Sequence, residues 1–152
     1  MVATVLSRAR FGMEAFEVRV EVHVGPGLPL FSIVGLPEAV VKESKDRVRS
    51  ALSNSELEFP AGRITVNLAP ADLPKEGGRF DLPIALGVLA ASGQLPAEGL
   101  LGCEFYGELS LSGELRAIHG LLPAVCEAAR SGHRVIVPRE NLAEASLVEQ
   151  AQ

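Results

Sequence analysis

Between Phe16 and Val24 apolar and polar residues alternate without a miss: Phe16, Val18, Val20, Val22 and Val24 against Glu17, Arg19, Glu21 and His23. A period of two turns one face of a strand toward a core and leaves the other wet. The pattern predicts a hairpin with strands over 3–11 and 15–24 and a turn at Gly12, Met13 and Glu14. After a break at GPGLP (25–29), LFSIV (30–34) reads as a short apolar strand. The period then becomes helical. A helix is predicted from Pro37 to Ser53, with Pro37 suited to the first turn and Val41, Ser44, Val48, Ala51 and Leu52 sharing one face. Glu43 with Arg47, and Lys42 with Asp46, are spaced to pair across one turn of that helix.

ITVNLA (64–69) reads as a strand, followed by a loop rich in Pro and Gly over 70–80. DLPIALGVLAAS (81–92) is apolar on every side, which predicts a central, buried helix with Asp81 as its N-cap and Pro83 in the first turn. Two strands, EFYGELS and ELRAI, are expected within 104–118, joined through Ser112 and Gly113. HGLLPAVCEAARSG (119–132) reads as a helix closed by Gly132. RVIVP (134–138) is a strand and 141–150 a last helix. A meander-like start followed by alternating strands and helices predicts one α/β domain, an α+β two-layer arrangement with a mixed β-sheet packed with helices.

Composition narrows the function classes. The chain has 152 residues, a length that fits one domain, and 47% hydrophobic against 22% charged residues marks a folded core rather than a disordered segment. The net charge of −5 argues against a surface that binds nucleic acid all over, while leaving room for a local basic patch. Cys103 and Cys126 provide no disulfide framework and suit the reduced thiols of a cytoplasmic protein. The first residues lack the apolar run of a signal peptide, and the longest apolar stretch, 82–91, is about half of what a membrane span needs. The ending, LAEASLVEQAQ, suits a domain excised from a longer protein.

Neither GxxxxGK[ST] nor GxGxxG occurs, so no phosphate loop or dinucleotide fingerprint is present. His23, His119 and His133 have no ligand partner at metal-binding spacing within their own elements, and no metal site is expected. Arg8, Arg10 and Arg19 share the outward parity of the first hairpin. They could form a phosphate-binding stripe for DNA, or pair across strands with Glu17 and Glu21. The loop before the buried helix gathers Asp72, Lys75, Glu76, Gly77, Gly78, Arg79 and Asp81. A helix N-terminus attracts anions, although Asp81 as a cap would fill that position itself. A tight loop held by its own ion pairs is the competing reading.

That loop also carries a resemblance. PKEGGRFDLPIA (74–85) resembles the PKDGPSAG segment of the Lon protease domain. GELSLSGELRAIHGLLPAVCEAARSGHRVIVPREN (107–141) resembles the Lon stretch that contains GGLKEK. Two segments in the right order imply the Lon protease C-terminal-like fold, shared with ribosomal protein S-five domain two and the GHMP kinases. Lon-type proteolysis uses a serine nucleophile and a lysine base. In this chain the serine position is Arg79 and the lysine position is Leu122, while Lys75 matches a lysine that is not the base. The resemblance therefore implies a protease-like domain with no catalytic residues of that kind.

Over nearly the whole chain the similarity is to the N-terminal domain of the YifB/ComM family of magnesium-chelatase-like AAA+ ATPases. It rests on GLPEAVVKESKDRVRSALSNS (35–55), FPAGRITVNLAPADLPKEGGRFDLPIALGVLAASGQL (59–95) and FYGELSLSGELRAIHG (105–120). This implies that residues 1–152 are a single Lon-like domain of a longer bacterial, cytoplasmic protein. The expected partners are its own AAA+ module, neighbouring subunits of a homo-hexamer, and DNA, with no membrane. ATP and Mg belong to the AAA+ module, and no cofactor is expected in this part. The full protein is then an ATP-dependent DNA branch-migration helicase of natural transformation, and Lys75, Arg79, Arg8, Arg10 and Arg19 are the contact candidates. Two other readings stay open. One is a serine peptidase with a rearranged pair, Asp72, Glu76 or Asp81 acting with Ser110 or Ser112. The other is a GHMP-kinase-like nucleotide site at PKEGGRFD.

Overall fold

The computed structural model describes residues 1–148 and 151–152. Strand β1 (Val2–Phe11) and strand β2 (Glu14–Gly25) form the expected antiparallel hairpin, in a register that runs from Val2 opposite His23 to Phe11 opposite Glu14. The turn is shorter than anticipated. Glu14 pairs with Phe11, leaving Gly12 and Met13 as the loop, and Gly12 takes the left-handed conformation (φ 63°) that a tight reversal needs. Strand β3 (Leu30–Val34) runs parallel to β4 (Arg63–Ala69), which returns antiparallel to β2.

The helix expected over 37–53 is two helices, α1 (Ala39–Lys42) and α2 (Ser44–Asn54). At Glu43 the ladder tightens to an i→i+3 bond, Asp46 N to Glu43 O at 3.1 Å, and the next residue, Ser44, points inward. The predicted inner face holds, since Val41, Ser44, Val48, Ala51 and Leu52 are all buried. Glu43 pairs with Arg47 at 3.5 Å. Lys42 and Asp46 fall in different helices and form no ion pair among the described residues. Pro37 lies before the helix, in a parallel bridge with Lys75 made by Lys75 N to Leu36 O (3.2 Å) and Glu38 N to Lys75 O (3.0 Å). Both bonds use the neighbours of Pro37, so its missing N–H costs nothing there.

Helix α3 (Asp81–Ala91) lies buried against β1, β2 and α2, as its uniformly apolar composition predicts. A short helical turn at Ala97–Leu100 leads to β5 (Cys103–Phe105), which pairs parallel to β1. The single strand expected over EFYGELS breaks at Tyr106 and Gly107. Tyr106 N bonds to Ile136 O (3.0 Å), Gly107 N to Arg79 O (3.2 Å) and Gly107 O to Leu82 N (3.0 Å), so the backbone leaves the sheet to anchor the start of α3. The remainder is a small ribbon of β6 (Glu108–Leu109) and β7 (Leu115–Arg116), turning through Ser112 and Gly113 as expected.

Helix α4 spans Leu122–Arg130, so His119, Gly120 and Leu121 precede it. Gly120 is left-handed (φ 68°), which stops the helix from beginning earlier. Gly132 (φ 75°) closes it in the expected way, with His133 N bonded to Ala128 O at 2.9 Å and Gly132 N to Ala129 O at 3.1 Å. Strand β8 (Arg134–Ile136) pairs parallel to β5, and α5 covers only Leu142–Ala145. The last residues of the helix expected over 141–150 lie outside the described residues.

The main sheet is mixed, ordered β3-β4-β2-β1-β5-β8. One face carries the larger core, where Val5, Val18, Val20, Val22, Ile64, Val66 and Leu68 meet α2 and α3. The other face is covered only toward the hairpin end, where Ala15 packs with Tyr106, Leu121, Ala124 and Val125 under α4. Beyond that patch Thr4, Arg19, His23 and Arg63 stay exposed on the same face.

Candidate functional site

The segment 74–81 folds between the β3–α1 crossover, the Ile118–Leu121 turn and the start of α3. Lys75 is completely buried. Its Nζ donates to Gly35 O (2.7 Å) and to Pro70 O, and burial pushes its pKa down against the opposing pull of Asp72. As a contact for DNA it is ruled out by this burial; it ties the loop to the crossover.

Arg79 is also buried, at 6% exposure. Nη1 donates to Arg8 O (3.2 Å), and Nη2 donates to His119 O (2.8 Å) and Gly120 O (3.5 Å). Burial pushes its pKa down, and the nearby Arg10 charge adds to the effect. The guanidinium therefore joins the segments 74–85 and 107–141, linking the start of α3 to the turn before Leu122. That tie is structural, and Arg79 reaches solvent only as part of a pocket wall.

Asp81 is not the N-cap expected. It is the first helical residue after Phe80, and its side chain makes no capping bond. Its carboxylate is fully buried and takes Ser44 Oγ (2.5 Å), Arg47 Nε (2.6 Å), Arg47 Nη2 (3.1 Å) and Leu109 N (3.0 Å). Those bonds raise the pKa of Arg47, the Asp81 hydrogen bond most of all. The α3 N-terminus offers no anion site either. Asp81 N is spent on Gly78 O (3.1 Å), Leu82 N on Gly107 O, and residue 83 is proline. This removes the geometric basis of a GHMP-kinase-like phosphate loop.

Ser110 and Ser112 bond to each other (Oγ to Oγ 3.0 Å), and Ser110 Oγ also accepts Glu114 N (3.0 Å). Neither hydroxyl bonds to Asp72, Glu76 or Asp81 among the described residues, so no rearranged nucleophile–base pair is assembled. Leu122 is half-buried at the start of α4.

The arginine stripe divides. Arg8 is buried, contrary to its outward parity, because α4 covers that end of the sheet. It grips Glu104 with Nε (2.8 Å) and Nη2 (2.9 Å), and Nη2 reaches Ser131 Oγ (3.1 Å). Burial works against its charge, but the Glu104 bonds outweigh it and leave the Arg8 pKa raised. Arg19 is exposed and pairs loosely with Glu17 at 3.7 Å, while Glu21 accepts Asn67 Nδ2 at 2.8 Å. The cross-strand pairs expected with Glu17 and Glu21 do not form among the described residues: Arg19 meets Glu17 within β2 instead, and Glu21 accepts from Asn67. Arg10 is exposed, with Nε donating to Gly12 O (3.1 Å) and its guanidinium packed on Gly120, where a Cβ would collide with it.

Around Arg79 these elements leave a pocket of about 300 Å³, lined among others by Arg10, Glu38, Glu76, Gly78, Glu108 and His119. Two of its acids, Glu38 and Glu108, look like ordinary surface acids in sequence, and His119 offers no metal-ligand partner. Glu104 was missed entirely: it carries the Arg8 charge, accepts Tyr106 OH at 2.6 Å and lies 2.7 Å from His133 Nδ1. Asn141 was missed as well, although its amide holds Ile118 N and Ile118 O, each at 3.0 Å, and so fixes the 118–121 turn. A lone charged residue inside an apolar strand, Glu104 in CEF, was the available signal.

A family model described as subunit ChlI of Mg-chelatase matches residues 20–141. The chain is 58% identical over 146 residues to the competence protein ComM of Haemophilus influenzae, covering 96% of this chain and 29% of that one. It is 55% identical over 146 residues to the YifB protein of Salmonella typhimurium, with the same coverage of 96% and 29%. Lon protease 2 of Bacillus subtilis is more distant, 25% identical over 139 residues, 82% of this chain and 25% of that protein. The chain thus spans about three tenths of the length of the ComM and YifB relatives.

Proposed function

This chain belongs to the Mg-chelatase subunit ChlI family, in its ComM/YifB branch, and we propose that it acts as the non-catalytic N-terminal domain of a bacterial AAA+ ATPase. The full protein, in this reading, is a homo-hexameric DNA helicase that drives branch migration during natural transformation, with ATP and Mg bound by the module that follows. The competence role printed for the Haemophilus relative supports this direction.

The observation that carries the non-catalytic reading is the fate of the two Lon positions. A buried arginine bonded to three backbone carbonyls stands for the nucleophile, and a leucine stands for the base. A guanidinium in that place can tie segments together but cannot be acylated. The domain then supports ring assembly or couples ATP-driven movement to DNA, and Arg19 is its exposed candidate for DNA contact, while Arg10 lines the pocket around Arg79. Incubated with ATP and Mg, the purified 152-residue chain is expected to release no phosphate above buffer, whereas the full-length protein hydrolyses ATP and moves a branched DNA junction. Turnover by the short chain alone would overturn the assignment.

A further inference from the structure

The pocket around Arg79 has an unusual charge arrangement. Arg10 and Arg79 line it together with Glu38, Glu76 and Glu108. Opposite charges sharing one small pocket would ordinarily close on each other. Yet no salt bridge joins either arginine to any of the three carboxylates among the described residues. Three of these five groups are held by other contacts. Arg10 lies on Gly120, and Arg79 is tied to the 119–120 carbonyls. Glu108 sits against Gly78, where a Cβ would come within 2.5 Å of its Oε2, and Glu38 projects from the start of α1. Nε of Arg79 donates to no protein acceptor among the described residues, so part of its donor fork is unspent.

We propose that this pocket docks a protein segment that presents a carboxylate beside a basic side chain, the carboxylate against Arg10 and Arg79 and the base toward Glu38, Glu76 and Glu108. Two guanidiniums with free N–H groups suit a carboxylate well. The acids argue against a nucleic-acid backbone here, because a run of phosphates would have to pass three like charges. The volume of about 300 Å³ admits one or two side chains rather than a large ligand. This inference goes beyond the helicase reading and does not depend on it.

The test is an amide NMR titration of the 152-residue chain at constant ionic strength. The probes are acetyl-Gly-Asp-Lys-Gly-amide, the Asp-Asp and Lys-Lys versions of it, free lysine, and inorganic phosphate. The Asp-Lys peptide is expected to shift the amides of Gly77, Gly78, His119 and Gly120 saturably, and more tightly than any other probe. Arg79→Ala removes a buried tie and could unfold the chain, so the informative variants are Arg10→Gln and Glu38→Gln, both at exposed side chains. Each is expected to weaken the Asp-Lys peptide about tenfold, the size of one charge-assisted bond. The proposal fails if no saturable shift occurs at those amides, if phosphate, free lysine or a single-sign peptide binds as tightly, or if neither variant weakens binding.

Discussion

Glu104 receives two nitrogens of Arg8, the Tyr106 hydroxyl and a close approach from His133 with one fully buried carboxylate. Removing one member of a buried ion pair leaves the other charge without compensation, typically at about 3–5 kcal/mol. Glu104→Gln is therefore expected to lower unfolding stability by about that amount in chemical denaturation. The double variant Arg8→Met, Glu104→Gln should recover part of the loss, because no charge is then left buried. The same cluster makes a pH prediction. Burial, followed by the charge and hydrogen bond of Glu104, raises the Tyr106 pKa well above its ordinary 10.0. In the folded chain the phenol stays neutral while in the unfolded chain it ionises. The stability it contributes is complete below pH 10 and is lost as pH rises from there toward the folded pKa. Denaturation curves between about pH 9 and pH 11 should fall less steeply for Tyr106→Phe than for the parent chain.

At the scale of elements, α3 depends on a close approach to the sheet. A Cβ on Gly87 would overlap the Cγ2 methyl of Val22 and touch Val5. Alanine in a helix interior gains about 1 kcal/mol over glycine in intrinsic propensity. Overpacking a rigid core costs about 1–3 kcal/mol, and here the obstacle is a β-branched side chain in a central strand, with little freedom to move. The steric term is expected to win, so that Gly87→Ala lowers the thermal midpoint despite its better helix propensity. The apolar composition of 81–92 made this helix legible as a buried one, but which of its positions meets the sheet depends on the tilt of α3 over β2. Similarly, the inner face of 37–53 was readable from its spacing, whereas the break at Glu43 follows from the tertiary commitment of Ser44 and Arg47 to Asp81.

The whole molecule presents a sheet with one face covered by α2 and α3 except at its hairpin end, where Phe16 is exposed, and the other covered only near the hairpin turn. Arg19 stands on the open part of that second face, with Arg63 exposed on the neighbouring strand β4, six register positions along from Ala69, the partner of Arg19. Arg63 was not singled out, although its outward parity in RITVNLA matches that of Arg19 across the sheet. With a net charge of −5, any DNA contact has to be local, and this open face is where an exposed arginine is free to make it. Arg19→Glu in the full-length protein is expected to weaken DNA binding and flatten its salt dependence. Its thermal midpoint should hardly move, because surface substitutions stay within about 0.5 kcal/mol. Unchanged DNA affinity would remove Arg19 from the contact set.

Residue identity and spacing alone determined the period of the second hairpin strand and the burial of α3, and the resemblance to Lon implied that Arg79 and Leu122 stand at its serine and lysine positions. These are local or chemical properties: a period of two needs only neighbours, and a side chain lacking a nucleophile lacks it in any fold. Tertiary structure decided which charges are buried, paired or free. Arg8 meets Glu104 across 96 positions, Arg79 meets His119 across 40, and Arg47 meets Asp81 across 34. Parity states which side of a strand a residue faces but not whether a helix covers that side, so Arg8 and Arg10, on the same face of one strand, end as a buried ion-pair partner and an open pocket wall.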